Sequence, residues 1–321
     1  MKDFFRNKKK FLLGVMLMFV TLTGCSVPRG QNGMTYVISI YTYNDVQVKR
    51  GDVDIPDDKE LQKKYKDYKA DDLITIEKTT FSDAMDEGWF NGLIVWPIAF
   101  LINFVADFSD AGIGIIAATF LIQLLIFLFS IKSQVASQRM QSIQPEMNKI
   151  QAKYAGKTDD RSKMQQAQEM QALYSKYKIN PFGTLLVTFI QFPVILGMYQ
   201  ATMRAYSVVT GSFQGINLAK TPIEGFNLGD YWYIVIFVLM VAFQLLSFKM
   251  PQWLQEHRKK KMHVKEKKYA EPKKKGGNGM MGSMNMMMYM STGMIAIFAI
   301  NWPRGMSFYW LVNSLARVIQ N

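Results

Sequence analysis

Chemistry inside a protein needs groups that ionise, attack or bind metal, and this sequence has few of them in its apolar runs. His257 and His263 are its two histidines and Cys25 its one cysteine, which excludes an internal disulfide framework and a multi-cysteine zinc site. No HExxH helix, GxSxG turn or aspartate pair lies in an apolar run, so metal hydrolysis, serine catalysis and aspartyl proteolysis lack their parts. What those runs do hold is mostly uncharged: Gln123, Gln191, Gln244, and Asn313 beside Ser314. An amide in hydrocarbon must find a partner or water, so several of them point either to bonds between helices or to a hydrated groove. The chain reads as a non-enzyme, with no cofactor and no metal site expected.

Long apolar segments must position these amides. The 321 residues are 49% hydrophobic with a net charge of +13, and a mean hydropathy of zero averages strongly apolar blocks with strongly charged ones. Ala111 to Ile131 is the clearest span, carrying Gln123 and no formal charge. Further spans are expected from Gly183 to Met203, Tyr231 to Phe248, Met286 to Ile300 and Met306 to Ile319. The fold class expected is therefore an all-α membrane protein with five transmembrane helices in 111–321. Trp89 to Val105, with Trp96, Pro97 and Phe100, is short and aromatic, and suits an amphipathic helix lying at the interface across 89–110.

Two polar segments interrupt the spans. In 132–180, Met140, Ile143, Met147, Ile150 and Tyr154 share one helical face. Gly156 to Asp160 breaks that helix, and Met164, Met170, Leu173, Tyr174 and Tyr177 stripe a second from Arg161 to Lys178, so a helical hairpin outside the membrane is expected. In 250–280, expected as a basic cytoplasmic loop, lie Arg258, Lys259, Lys260 and Lys261, then Lys265, Lys267, Lys268 and Lys273 to Lys275. This cluster either orients the chain or attracts anionic lipid or ribosomal RNA by charge. The methionines from Met280 to Met294 make a polarisable surface that accepts varied apolar partners or packs the fourth span.

The N-terminus has the build of an export signal, with Lys2, Arg6 and Lys8 to Lys10 before the apolar run Phe11 to Val20. Leu22-Thr23-Gly24-Cys25 resembles a lipoprotein cleavage box, so 1–24 is expected to be removed and Cys25 to carry acyl chains such as palmitate. Residues 25–88 then lie outside the cell as a polar, acidic region, with an expected strand over Thr35 to Tyr41. Both basic segments fall inside when five crossings follow, which puts the C-terminus inside as well.

The order of parts resembles the YidC/Oxa family of membrane insertases in its lipid-anchored Gram-positive form. The resemblance rests on Met140-Gln141-Ser142-Ile143-Gln144-Pro145-Glu146-Met147, on Ala172-Leu173-Tyr174 followed by Asn180-Pro181-Phe182-Gly183, on Gln191-Phe192-Pro193, and on Phe308-Tyr309-Trp310-Leu311-Val312-Asn313. It implies a five-helix bundle around a hydrophilic groove open to cytoplasm and lipid, through which nascent membrane proteins enter the bilayer, alone or with the Sec translocon. It further implies a groove lined by Gln123, Gln191 and Trp310, with client or ribosome contact at Met140, Met147 and Arg258 to Lys261. Membrane lipids are the other partner implied, and no specific DNA. Where the family usually has a groove arginine this sequence has Gln123, which donates and accepts hydrogen bonds but offers no charge. A specialised paralogue acting as a chaperone, or a transporter subunit, is the competing expectation. The last span ends near Asn321, so ribosome contact is expected on 251–275 and the hairpin.

Overall fold

The computed structural model describes residues 29–30, 34–157, 159–179, 181–221, 229, 231–261, 289–290, 292–297, 299–300 and 302–320. The signal segment, Cys25, the lysines from 265 to 275 and the methionines from 280 to 288 lie outside them. In chain order the helices are α1 Lys59–Tyr65, α2 Phe81–Asp86, α3 Trp96–Asp107, α4 Ala111–Ser142, α5 Gln144–Lys153, α6 Asp160–Lys176, α7 Pro181–Arg204, α8 Tyr206–Thr210, α9 Trp232–Lys261 and α10 Arg304–Gln320. The strands are β1 Val46–Lys49, β2 Leu73–Ile76, β3 Ser212–Phe213 and β4 Ile216–Asn217. The chain is mostly helical and divides into two compact units.

The first unit comprises Met1–Ala111 and Tyr199–Ala219. Its core gathers Val37, Ile40, Val48, Val53, Ile55, Tyr65, Ile74, Ile76 and Val209. Alternation in Leu73-Ile74-Thr75-Ile76 turns Ile74 and Ile76 inward, and antiparallel pairing sets Val48 opposite Ile74. Asp58 caps α1 by accepting from the amides of Glu60 and Leu61, and Thr80 with Asp83 forms a capping box on α2. The expected strand over Thr35 to Tyr41 is instead a 3-10 turn at Val37–Ser39 between isolated bridges. Around that turn Val37 and Ile40, both buried, are three apart, and Ile38 between them is exposed. A π-turn at Asn91–Val95 leads into α3.

The second unit comprises Gly112–Met198 and Lys220–Asn321. Two stretches among the described residues, Ala111–Leu128 and Trp232–Met250, are long and apolar enough to cross a membrane. α4 does not stop where the apolar run ends: its 32 residues make one helix about 48 Å long. α9 likewise continues through Arg258 to Lys261, so the start of the basic segment is helical where the sequence reads as loop. Lysine, glutamine and glutamate are good helix formers, and an established helix propagates more easily than it nucleates. α5 and α6 pair around Ile143, Met147, Leu173 and Ile179, with Gly156 at φ +86° in the turn between them.

Candidate functional site

α4 and α9 each bury one face. On α4 that face is Ile115, Ala118, Thr119 and Gln123, whereas Leu121, Leu124, Leu125 and Leu128 are exposed. On α9 it is Tyr233, Ile236, Met240, Gln244 and Ser247, with Ile234, Val235, Val238 and Leu239 exposed. The threes-and-fours spacing thus separates an apolar outer surface from an inner face that includes amides. α10 is buried nearly throughout from Arg304 to Trp310, and again at Val312, Asn313 and Ser314.

Hydrogen bonds join these inner faces. Gln123 donates through Nε2 to Oδ1 of Asn313, and Ser314 donates through Oγ to Oε1 of Gln244 at 2.5 Å. Trp310, one turn before Asn313 and Ser314, stacks on Trp302 with ring centroids 6.4 Å apart. Three polar atoms on α10, Oγ of Ser307, Nε1 of Trp310 and Nδ2 of Asn313, are buried with no protein hydrogen-bond partner among the described residues. Leaving such a donor unpaired costs about 1–3 kcal/mol. At one end of α10 the Arg304 guanidinium lies 3.3 Å over the Tyr233 ring and donates to its hydroxyl.

The arrangement is dipolar. It can donate and accept hydrogen bonds inside an apolar bundle. Among the described residues no group of three or more His, Cys, Asp or Glu side chains stands close enough to hold a metal ion.

Of the residues singled out from sequence, Gln123 (5% exposed) and Trp310 (5%) come together through α10, whereas the half-buried Gln191 on α7 stands outside these bonds. Gln244, Asn313 and Ser314 join them, as amides and a hydroxyl in apolar runs had signalled. Met147 is 1% exposed, inside the α5–α6 core, and Met140 packs half-buried against that core. The backbone of Arg258 to Lys261 forms the last turn of α9.

The α5–α6 pair is fastened at both ends by carboxylates. Glu146 accepts from the Tyr177 hydroxyl and faces Lys176 at 3.7 Å, and that hydroxyl chiefly lowers its pKa. Glu169 takes Lys153 at 2.5 Å and the Tyr154 hydroxyl at 2.8 Å, and these bonds likewise lower its pKa.

A constellation in the first unit was not legible from sequence. Arg204, 3% exposed, meets Oε2 of Glu87 at 2.5 Å and donates to the Tyr41 hydroxyl at 3.0 Å. That hydroxyl donates to the same carboxylate oxygen at 2.9 Å, and Asn91 adds a bond at 3.0 Å. Burial raises the Tyr41 pKa well above its ordinary 10, against the opposing pull of Arg204. Asn103 of α3 donates to the Tyr41 carbonyl and accepts from both the amide and the hydroxyl of Ser207. The only sequence signal is that an arginine ends one apolar run and a glutamate precedes another.

Comparison with known proteins matches residues 103–321 to the family described as 60Kd inner membrane protein. A relative named membrane protein insertase YidC 1, from Streptococcus pyogenes serotype M3, is 33% identical over 249 residues, 77% of this chain and 78% of the relative. Membrane protein insertase MisCA of Bacillus subtilis is 32% identical over 230 residues, 71% and 76% of the two chains. Membrane protein insertase YidC 2 of Bacillus anthracis is 28% identical over 235 residues, 73% and 80%. With a family match over most of its length and relatives above 30% identity, the chain belongs to the 60Kd inner membrane protein family, the YidC/Oxa family.

Proposed function

We propose that this chain is a membrane protein insertase whose working surface is the uncharged polar cluster of Gln123, Gln244, Asn313, Ser314 and Trp310. The observation that carries the reading is the pair of bonds Gln123 to Asn313 and Ser314 to Gln244, buried between helices whose outer faces are apolar. Polar groups there lower the cost of bringing a client's polar segment into the bilayer while its apolar helix leaves into lipid. Gln191 lines the same groove further along. Five helices span, the α5–α6 hairpin and the basic end of α9 face the cytoplasm, and clients or ribosomes meet Met140 and Arg258 to Lys261, with Met147 supporting that surface from within. Nascent membrane proteins are the clients, with or without the Sec translocon, and the protein itself consumes no nucleotide.

Outside the cell the domain around β1 and β2 follows a lipidated Cys25. Interfacial seating of α3 is supported by its aromatic face: Trp96 to Phe100, Phe100 to Phe104 and Phe104 to Phe108 lie at centroid distances of 5.3, 6.3 and 5.3 Å.

The test is complementation in a host depleted of its own insertase, with a short-tailed client followed by protease protection. Insertion by the native chain supports a general insertase that works without a groove charge. Failure of both the native chain and Gln123→Arg, despite stable expression, refutes the reading. The uncharged Gln123 favours a second reading, a chaperone for particular partners, because the family resemblance implies an arginine at that place. Rescue by Gln123→Arg alone would favour it.

A further inference from the structure

We infer that Trp310 and Asn313 recognise clients through the client's backbone carbonyl oxygens, so that this surface reads main chain rather than side-chain charge. The inference rests on the insertase reading and deepens it. Indole Nε1 is a donor only, and in Asn313 the one acceptor is already taken by Gln123, which leaves Nδ2 as a donor. Both nitrogens are buried and have no protein partner among the described residues. They sit three residues apart, about 4.5 Å along α10, on one helix face. Two neutral donors in an apolar bundle select a neutral acceptor, because a carboxylate brought there pays for desolvation that a carbonyl does not. Every client supplies such acceptors: the last four carbonyls of a helix lack partners within it, as do those of an extended tail. Arg317 stands one turn beyond Asn313, near the end of α10, so recognition through charge is the alternative to be excluded.

The experiment uses the full chain in proteoliposomes with a synthetic single-span client and a series in which one peptide bond at a time is an ester, a weaker carbonyl acceptor. Binding is read by fluorescence anisotropy and insertion by protease protection. With the native chain, esters at one or two positions should weaken binding roughly three- to tenfold, the worth of one hydrogen bond. In Trp310→Phe, which keeps a ring beside Trp302, the all-amide client should bind weaker by a similar factor and the ester penalty should shrink towards none. The double variant Gln123→Leu/Asn313→Leu removes both partners of their bond together, and gives a second cycle should Trp310→Phe fail to fold.

Ester scanning without effect at any position, in a chain that still inserts the client, overturns the carbonyl inference and leaves the insertase reading standing. No insertion of the all-amide client by the native chain refutes the insertase reading and the inference with it. Losses that follow client aspartates and appear in Arg317→Gln would assign recognition to charge. A Trp310→Phe defect that ignores ester position and vanishes in ether-linked lipid would assign the donors to lipid carbonyls. Each of these last two results overturns the inference.

Discussion

Glu87→Gln tests whether the Arg204 cluster holds the first unit together. The substitution keeps the side chain's shape and its capacity to accept from Tyr41 and Asn91, but removes the counter-charge 2.5 Å from a guanidinium that is 3% exposed. Breaking a buried ion pair from one side costs about 3–5 kcal/mol. The Glu87 side chain is 35% exposed, so water already screens part of the attraction and the cost falls to about 1–3 kcal/mol. At about 2 kcal/mol the local opening equilibrium rises roughly thirtyfold. The Tyr41 amide donates to the Arg204 carbonyl at 2.7 Å and the Tyr206 amide to the Tyr41 carbonyl at 3.0 Å, so both report the opening directly. Hydrogen exchange followed by mass spectrometry should find peptides over Tyr41 and Tyr206 exchanging roughly thirtyfold faster, with peptides of α5 and α6 unchanged. Arg204→Met should cost less than Glu87→Gln, because it leaves behind a carboxylate that water can reach rather than a buried cation. Exchange within twofold of native in both variants, or a larger effect in Arg204→Met, would refute the electrostatic account.

Raising the pH should weaken the same cluster. The folded pKa of Tyr41 lies above its ordinary 10, so its contribution is complete below about pH 10 and is lost as pH climbs towards the folded value. Tyr41→Phe should abolish this alkaline limb of a thermal-stability profile. The α5–α6 pair responds oppositely. Glu146 and Glu169 have lowered pKa values, so their contribution is present above the usual carboxylate range and is lost on acidification through their folded values. Proteolysis of the α5–α6 turn should therefore quicken in acid, and Glu146→Gln with Glu169→Gln should quicken it already at neutral pH while flattening the dependence. For the buried pair of α9 and α10, a double-mutant cycle of Gln244→Leu and Ser314→Ala should give a coupling of about 0.6 kcal/mol, and at most about 1.7 kcal/mol. Unfolding in mixed micelles measures it, and a coupling indistinguishable from zero would mean the bond does not persist in solution.

A polar residue in an apolar run is visible in one dimension because its cost there is high, so Gln123, Gln244, Asn313 and Ser314 could be read from the sequence. Which amide meets which depends on how helices pair. Gln123 and Asn313 are 190 residues apart and Gln244 and Ser314 are 70 apart, and no local pattern encodes that. The Arg204 cluster was hidden for the same reason, its salt bridge joining residues 117 apart. Seen alone, an arginine after an apolar run looks like an end-of-helix cation. The misread strand has a local cause: Thr35, Val37, Ile40 and Tyr41 are buried, which breaks strict alternation after Val37, and single bridges hold the segment's ends. Valines and glutamine in the true strand Val46–Lys49 lie beside an acidic stretch that masks their alternation. Helix length was obscured because hydropathy marks where a helix leaves hydrocarbon, not where it ends, and α4 and α9 both run on into polar sequence. Two cations at helix ends are thus taken up by neighbours, Arg204 by Glu87 and Arg304 by the Tyr233 ring. What Gln123, Asn313 and Trp310 add between the helices is then a set of oriented dipoles. Dipoles of this kind act through geometry and are little affected by salt, whereas a groove charge would be screened wherever water reaches it.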